Sequence, residues 1–486
     1  MSARAFDAVV VGAGVGGLTA ACYLARSGRK VLLAEARNRL GGRCESIALG
    51  EGFTAPLGAH ELHALDPRVA RELKLARHGL KFVVRGMALA GLGHGGRHAL
   101  IVRDVRDTVR NIASLSRADA DAWPAFHAEL FALARALRPR WWEARPPKPL
   151  ARRHQEVFEA LRHVSAAAWL DSRFESDVLK ATLAFDATVA GYSPYEPGSA
   201  LLLVWRAAQE MCGLQGVSAW PMGGPAALAA ALADAAKAQG VEIRTGAAVE
   251  HVLMQDEAAA GVALASGESI AAPLVFSSLS RRATLGRLAP AGACGFETLA
   301  ALAHEPVTGE ARIVLALKSL PPFNGMAVPA TARFVLAERL ESQAAAWSAA
   351  HAGRLPDELT LEFVIPTAAE ASLAPHGQHV ASVLVRPVPA AMSAAMKTQL
   401  TARVTAALDA QMSGLAGSVA SAETFTPAEL AARYGHPGNA VDIHSNWNQR
   451  IMTTIPGLYL CGAEPVPAPS GRAGRIAAAL ALGGGK

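Results

Sequence analysis

Three polar side chains in this sequence of 486 residues are candidates for proton transfer: His60, Asp442 and His444. Imidazole changes its charge between about pH 5 and 8, and a nearby carboxylate can orient it or accept a proton itself. Asp442 and His444 stand two positions apart, so they point to the same side only if the segment is extended. A role in packing or capping is the alternative for each.

The first strand, turn and helix predict a dinucleotide site. Val9 to Val11 are typical of a buried parallel strand, and an apolar helix follows from Leu18. Between them, Gly12, Gly14 and Gly17 give G-x-G-x-x-G. The first glycine permits a tight turn, the second lets the backbone approach a pyrophosphate, and the third lets the helix pack on the strand. The phosphates would lie at the helix N-terminus, where free N–H groups point outward.

A second strand, Lys30 to Ala34, ends at Glu35, about twenty residues after the glycines. This is the distance expected for an acceptor of ribose hydroxyls, and a surface helix-capping glutamate is the alternative. The run EARNRLGGR follows, with a second glycine pair and arginines that suit phosphate oxygens. Its candidate cofactor residues are Ala36, Arg37, Gly42 and Arg43.

The run EARNRLGGR resembles the R-x-G-G-R motif of FAD-dependent amine oxidases and phytoene desaturases. AFD, SPY and PGSA within 184–200, and GLYLCG followed by GRIAA within 457–478, resemble the phytoene-desaturase-related branch. That branch includes pyridine nucleotide-disulphide oxidoreductase domain-containing protein 2. The resemblance covers nearly the whole chain and implies an α/β fold. It implies a Rossmann-type FAD-binding domain assembled from discontinuous segments, with a mixed-sheet and helical substrate domain.

The resemblance and the element pattern together predict the domain limits. FAD-binding segments are expected at 1–85, 215–288 and 433–486, a helical substrate or lid segment at 86–214, and the substrate-domain sheet and helices at 289–432. Apolar spacing predicts helices at 104–114, 118–137 and 155–169. Strands are expected at 310–317, 332–337, 360–365 and 379–386.

The resemblance also implies further contacts with FAD. Gly58 and Ala59 would line the flavin ring beside His60, and the backbone of Val249 would bond adenine. Gly462, Ala463, Gly471, Arg472 and Ala473 would bring the last strand and helix to the pyrimidine edge of the flavin. The chain departs from the family pattern at 464–470, which is shorter and stiffer than the usual glycine-rich segment, and at Asp442, where the family has histidine.

Composition excludes several classes of partner. The formal net charge is +6, yet no run of lysine and arginine resembles a nucleic-acid arm. The five cysteines are isolated, which argues against disulfides and zinc, and we expect no metal site. Without a leader or a bilayer-spanning run, the chain is expected in the cytoplasm. The basic, proline- and tryptophan-rich segment 138–150 suggests peripheral contact with the inner face of a membrane, with a solvated linker or a subunit contact as alternatives.

The reaction implied is hydride transfer between a substrate carbon and N5 of the flavin. Desaturation, or saturation, of an apolar isoprenoid- or polyene-like molecule suits this resemblance and needs no strong general base. Two alternatives stay open. One is a flavin amine oxidase, and the other is an FAD-bearing scaffold that binds a partner without turnover.

Overall fold

The computed structural model describes residues 6–144, 149–189, 192–290, 292–303, 309–435 and 443–483. The strands, in chain order, are β1 (Ala8–Val11), β2 (Val31–Ala34), β3 (Ser46–Ala48), β4 (Thr54–Pro56), β5 (Phe82–Met87), β6 (Leu89–Gly91), β7 (Ala99–Ile101), β8 (Glu210–Met211), β9 (Leu214–Gln215), β10 (Ser218–Pro221), β11 (Glu242–Arg244), β12 (Val249–Gln255), β13 (Ala258–Leu264), β14 (Ser269–Ala271), β15 (Leu274–Ser277), β16 (Ala311–Leu317), β17 (Arg333–Leu336), β18 (Leu361–Val364), β19 (His379–Val385), β20 (Val419–Phe425) and β21 (Leu458–Leu460).

The helices are α1 (Val15–Arg26), α2 (Pro67–Glu72), α3 (Val105–Ile112), α4 (Arg117–Trp142), α5 (Arg152–Leu161), α6 (Ala166–Asp171), α7 (Asp177–Ala184), α8 (Ala200–Ala208), α9 (Ala226–Ala238), α10 (Arg281–Ala283), α11 (Phe296–Ala303), α12 (Leu340–His351), α13 (Pro366–Ala369), α14 (Ala394–Asp409), α15 (Leu415–Ser418), α16 (Pro427–Tyr434), α17 (Trp447–Ile451) and α18 (Arg472–Ala481). None of the helices in the described ranges is long and apolar enough to cross a membrane.

A parallel five-stranded sheet forms the nucleotide-binding half, in the order β11-β2-β1-β15-β21. Its strands come from three separated parts of the chain, which confirms the discontinuous α/β fold. The central strand is buried along its whole length, as its run of valines predicts. Helices α1 and α18 pack against each other so closely that a Cβ on Gly474 would lie 2.1 Å from the carbonyl oxygen of Gly16. The first and last helices therefore begin beside each other.

A seven-stranded mixed sheet forms the other half, in the order β20-β16-β19-β18-β17-β6-β7. Alternate side chains such as Ile313, Phe363 and Val383 are buried on one face, where they pack against Leu400 and Val404 of α14. The opposite face includes Val314, which packs with residues from β4 and the turn after it. Because side chains alternate between the two faces along each strand, a second set of side chains points toward the nucleotide-binding half.

The segment 86–214 is not purely helical, in contrast to the prediction. β6 and β7 lie in this segment and extend the seven-stranded sheet beside β17. Each has three residues, and glycines flank them in the run GLGHGGRH, so the sequence offers no alternating pattern long enough to indicate a strand. The segment also supplies α3 to α8 and the short strand β8, and the predicted helix at 155–169 divides into α5 and α6.

The tryptophans that suggested membrane contact lie inside the protein. α4 continues to Trp142, so the first five residues of the segment 138–150 are helical rather than a linker. Trp141 is fully buried and its indole donates to the carbonyl oxygen of Ile443 at 3.2 Å. Trp142 is also buried, with the Arg472 guanidinium 4.4 Å from its ring. Residues 145–148 lie outside the described ranges, and the described tryptophans are not available to a lipid surface.

A buried carboxylate ties the last helix to the start of α2. Asp66 is fully buried and begins α2, where it accepts from the backbone N–H of Arg68 at 2.9 Å. Its carboxylate also lies near the guanidinium groups of Arg68, Arg475 and Arg472, at 3.2, 3.3 and 3.6 Å. Burial alone would raise the pKa of Asp66, but these three arginines hold it below its ordinary value.

We expect Asp66→Asn to destabilise the protein by about 3–5 kcal/mol, because it leaves buried guanidinium groups without their counter-charge. Since the pKa of Asp66 is lower in the folded state, its stabilisation is present above the unfolded value of about 3.9 and is lost as the pH falls toward the folded value. Urea unfolding between neutral and acidic pH checks both effects. The exposed Asp121→Asn is the matched control, and equal stability of the two variants would contradict this account.

Candidate active site

A cavity of about 530 Å³ lies between the parallel sheet and the seven-stranded sheet. Most of the predicted cofactor residues line it, namely Gly12, Gly14, Glu35, Ala36, Arg37, Gly42, Arg43, Gly58, Ala59, Val249, Gly462 and Gly471. Three predicted residues, Gly17, Ala463 and Ala473, are not in its described wall, and the side chain of Arg472 belongs to the Asp66 cluster instead. A Cβ on Gly17 would lie 2.1 Å from the carbonyl oxygen of Gly12, which agrees with its predicted packing role.

The glycine-rich turns form a cradle without side chains. Gly12 has φ +88°, a conformation that favours glycine, and it turns the chain from β1 toward α1. The second glycine pair lies against this turn, because Gly41 donates to the carbonyl oxygen of Ala13 at 2.8 Å and a Cβ on Gly42 would lie 3.1 Å from Cα of Gly14. α1 has no side-chain cap and no acidic residue in its first turn. Its positive end therefore faces the cavity and suits a pyrophosphate.

Glu35 is held at the end of β2 by backbone N–H groups. Its Oε2 accepts from Ala13 at 2.8 Å and its Oε1 accepts from Arg37 at 2.9 Å. A carboxylate has about four lone-pair sites, so these two bonds leave acceptors for ribose hydroxyls. The geometry suits the role that its position in the sequence suggests.

Glu464 is a carboxylate that the sequence analysis did not select. Its Oε1 accepts from the hydroxyl of Ser470 at 2.6 Å and from the N–H of Ala473 at 2.9 Å. Its Oε2 is buried and has no partner among the residues that the structure describes. Burial raises the pKa of this carboxyl. The signal was present, because Glu464 lies shortly after the carboxyl end of β21, and the carboxyl ends of parallel strands face the ligand in such sheets.

Opposite the glycine cradle, the cavity wall consists of side chains from neighbouring strands of the seven-stranded sheet. Glu362 of β18 pairs with Leu384 of β19, which in turn pairs with Arg312 of β16. Glu310 and Arg386 stand two residues away on their chains and therefore share this face. All five line the cavity, so its wall here is strongly charged rather than apolar. Only Leu384 of this row is apolar, so this part of the wall gives little support to the apolar substrate that the resemblance implies.

His60 and Glu362 form a buried pair in this wall. Nε2 of His60 lies 2.6 Å from Oε1 of Glu362, and both side chains are almost completely buried. Glu362 also binds Arg333, whose guanidinium contacts Asp186 at 3.2 Å. Asp186 belongs to the AFD run that resembles the phytoene-desaturase-related branch. The four residues form a continuous buried chain of charges and imidazole.

The charges in this chain fix the protonation of His60. Burial raises the pKa of Glu362, but Arg333, followed by His60, holds it well below its ordinary value, so Glu362 is ionised. Burial and the charge of Arg312 lower the pKa of His60, although Glu362 opposes them. His60 is therefore neutral near pH 7. Because an ionised carboxylate only accepts, Nε2 carries the proton and Nδ1 carries a lone pair. That Nδ1 is buried and has no partner among the described residues.

The other two candidate catalytic residues are not brought into this wall. His444 is exposed, and its Nε2 lies 3.7 Å from where a Cβ on Gly198 would stand. It is not part of the described lining of the cavity. Asp442 lies outside the described residues. Of the three candidates, His60 is the one that the structure places in the cavity.

Residues 15–280 match the family described as flavin-containing amine oxidoreductase. The chain belongs to this family. The cofactor is FAD and the protein is an FAD-dependent oxidoreductase. The glycine cradle, Glu35 and Glu464 fit this dinucleotide.

Relatives and solved structures agree with the family. The chain is 29% identical to pyridine nucleotide-disulfide oxidoreductase domain-containing protein 2 of Rattus norvegicus, over 97% of this chain and 92% of that protein. It is 30% identical to hydroxyneurosporene desaturase of Cereibacter sphaeroides, over 54% of each chain. An oxidoreductase from Methanosarcina mazei has a similar fold, with a TM-score of 0.66, 20% identity and coverage of 97% of this chain and 99% of that one.

We expect Glu35→Ala and Glu464→Ala each to weaken FAD binding by about tenfold to a hundredfold, because each removes a charged acceptor from the cavity. Titration of the flavin-free protein with FAD, followed by quenching of flavin fluorescence, measures the dissociation constants. Glu51→Ala removes an exposed carboxylate and is the control. Unchanged affinity in either cavity variant would remove that residue from the FAD site.

Proposed function

We propose that this oxidoreductase forms a carbon–carbon double bond in a substrate with an apolar, isoprenoid- or polyene-like body, with His60 as the proton acceptor. The buried His60–Glu362 pair carries this proposal. Desaturation removes a hydride from one carbon and a proton from its neighbour, so it is assisted by a base placed in a water-poor site. The similarity to the hydroxyneurosporene desaturase of Cereibacter sphaeroides supports the same chemistry.

FAD, when bound, supplies the acceptor for the hydride. The proton of the adjacent carbon moves to Nδ1 of His60, and the electron pair of that C–H bond becomes the new double bond. Glu362 orients the ring and stabilises the imidazolium that forms, because it accepts from Nε2 at 2.6 Å. In the direction of saturation, His60 would return this proton to the substrate.

Arg333 and Asp186 act through Glu362. Arg333 keeps Glu362 ionised, and Asp186 fixes the guanidinium from its other side. An ionised Glu362 accepts from His60 and cannot donate to it, which selects the tautomer with a free Nδ1. These two residues are therefore positioning residues rather than groups that touch the substrate.

Amine oxidation is the second candidate, because the family name includes it. Two arginines in the cavity wall disfavour the binding of a protonated amine. Arg312 and Arg386 line the cavity beside Glu362, and Arg312 has no carboxylate bonded to it among the described residues. A protonated amine entering this wall would be repelled by both guanidinium groups.

Anaerobic reduction of the bound flavin separates the two reactions. We would mix the purified FAD-bound protein with representative polyenes and, separately, with representative primary amines, and follow bleaching of the flavin absorbance. Polyenes are expected to bleach the flavin and amines are not. Bleaching by amines alone would overturn the proposal in favour of amine oxidation.

With a substrate that reduces the flavin, His60→Gln is expected to slow reduction by about a hundredfold or more, because it removes the proton acceptor. FAD binding should stay unchanged. In the original protein, reduction should slow as the pH falls through the pKa of His60, below its ordinary value of 6.5, because the protonated ring cannot accept a proton. This pH dependence should be absent from His60→Gln.

Stopped-flow absorbance measures these rates, with the exposed His376→Gln as the matched control. Glu362→Gln should lower the pH at which the rate changes, because it removes the negative charge that raises the pKa of His60. Equal rates and equal pH profiles for His60→Gln and the control would contradict the role of His60.

A further inference from the structure

Arg312 is a buried cation without a bonded partner. Arg312 is only 7% exposed, and it lines the cavity. Its Nε and Nη1 are buried, and no hydrogen bond or ion pair among the described residues involves its guanidinium. A buried charged group in a folded protein is ordinarily paired, because desolvation without a partner costs several kcal/mol. The unmet bonding capacity of Arg312 therefore points to a ligand.

The nearest carboxylates are already committed to other cations. Glu310 lies two residues before Arg312 on β16 and binds Arg43 at 2.9 Å. Glu362 lies two strands away and binds both Arg333 and His60. Both carboxylates act on Arg312 through space, and burial nonetheless lowers the pKa of its guanidinium. Neither of them supplies the hydrogen bonds that its planar fork can donate.

A second guanidinium strengthens the positive character of this wall. Arg386 shares the face of Leu384, the residue that pairs with Arg312. Its Nε donates to the hydroxyl of Thr188 at 3.1 Å, and its Nη2 donates to the carbonyl oxygen of Phe185 at 3.0 Å. These bonds hold Arg386 in place without neutralising it. The two arginines together make a rigid site for a negative group.

We propose that the substrate carries a carboxylate, and that Arg312 binds this carboxylate at the wall opposite the glycine cradle. A guanidinium matches a carboxylate with two parallel hydrogen bonds. The flanking Glu310 and Glu362 favour a single negative charge over a phosphate dianion. This inference rests on the proposed function, because it assigns the substrate to the cavity wall that contains His60.

The position of Arg312 also sets where the substrate is oxidised. Neighbouring strands lie about 4.8 Å apart, so the backbones of Glu362 and Arg312 are separated by about 10 Å across Leu384. Since Glu362 holds His60, the proton acceptor lies at the same end of the cavity as the anion site. A substrate anchored by its carboxylate would present carbons near that carboxylate, rather than the distant end of its apolar body, to His60.

Ligand binding to the FAD-bound protein tests this inference without turnover. The probes are hexanoate, hexanamide, hexylamine and inorganic phosphate, and the readout is the change that each causes in the visible spectrum of the oxidised flavin. Hexanoate should give a saturable change, with an affinity at least about tenfold higher than that of the isosteric hexanamide. Equal affinities for hexanoate and hexanamide, or tighter binding of phosphate, would overturn the carboxylate assignment.

Two variants locate the site. Arg312→Gln should weaken hexanoate binding by at least about tenfold and leave hexanamide binding unchanged. Arg312→Lys keeps the charge but loses the planar fork, so its hexanoate affinity should lie between those of the original protein and Arg312→Gln. If Arg312→Gln does not fold, Arg312→Lys serves as the test of the site. The exposed Arg354→Gln is the charge-matched control and should bind hexanoate normally. Hexanoate affinity that is the same in both Arg312 variants and the control overturns the proposal.

Measuring the FAD content of the Arg312 variants separates a role in binding the substrate carboxylate from a role in binding the cofactor. If the Arg312 variants lose FAD rather than hexanoate affinity, Arg312 serves the cofactor and the inference is wrong. If hexanoate binds through Arg312 but neither polyenes nor their carboxylates reduce the flavin, the anion site stands and the proposed function fails. The two failures are therefore distinguishable in the same set of samples.

Discussion

Backbone contact between the first turn and the last strand and helix holds the site together. A Cβ on Gly16 would lie 2.1 Å from the carbonyl oxygen of Cys461, and one on Gly474 would lie equally close to the carbonyl oxygen of Gly16. No side chain fits between these pieces, so residues more than 400 positions apart share one ligand site. The cradle, Glu35 and Glu464 reach the same cavity because this contact sets the distance between them.

The opposite wall of the cavity, formed by the seven-stranded sheet, buries many charged side chains. Glu362 stays ionised since Arg333 lies beside it, while burial and the charge of Arg312 keep His60 neutral. The ionised Glu362 accepts from Nε2 of His60 and so leaves Nδ1 as the free nitrogen. Such a chain gives little net stability, because desolvation offsets most of the attraction between buried ions. Its value lies in fixing the protonation of one nitrogen in a site with little water. The same wall leaves Arg312 without a bonded partner among the described residues, which is the basis for the proposed carboxylate site.

The nucleotide-binding half could be predicted in detail from the sequence, because its signals are local. The valine strand, the glycine spacing and Glu35 lie within thirty residues, and the structure assembles them as predicted. The charged wall could not be predicted, since His60, Asp186, Arg333 and Glu362 are separated by up to about three hundred residues and only the tertiary fold brings them together. The interior position of Trp141 and Trp142 was missed for a similar reason. A basic segment containing tryptophan has the same composition at a membrane surface and at a helix end packed inside a protein.

The central claim is that this family member removes hydrogen from two adjacent carbons. Mass spectrometry of the product from a single anaerobic turnover tests it most directly. The account predicts a product lighter than its substrate by two hydrogens, with one new carbon–carbon double bond and no atom gained or lost otherwise. A carbonyl product released together with an amine, or an unchanged substrate after the flavin has been reduced, would contradict it.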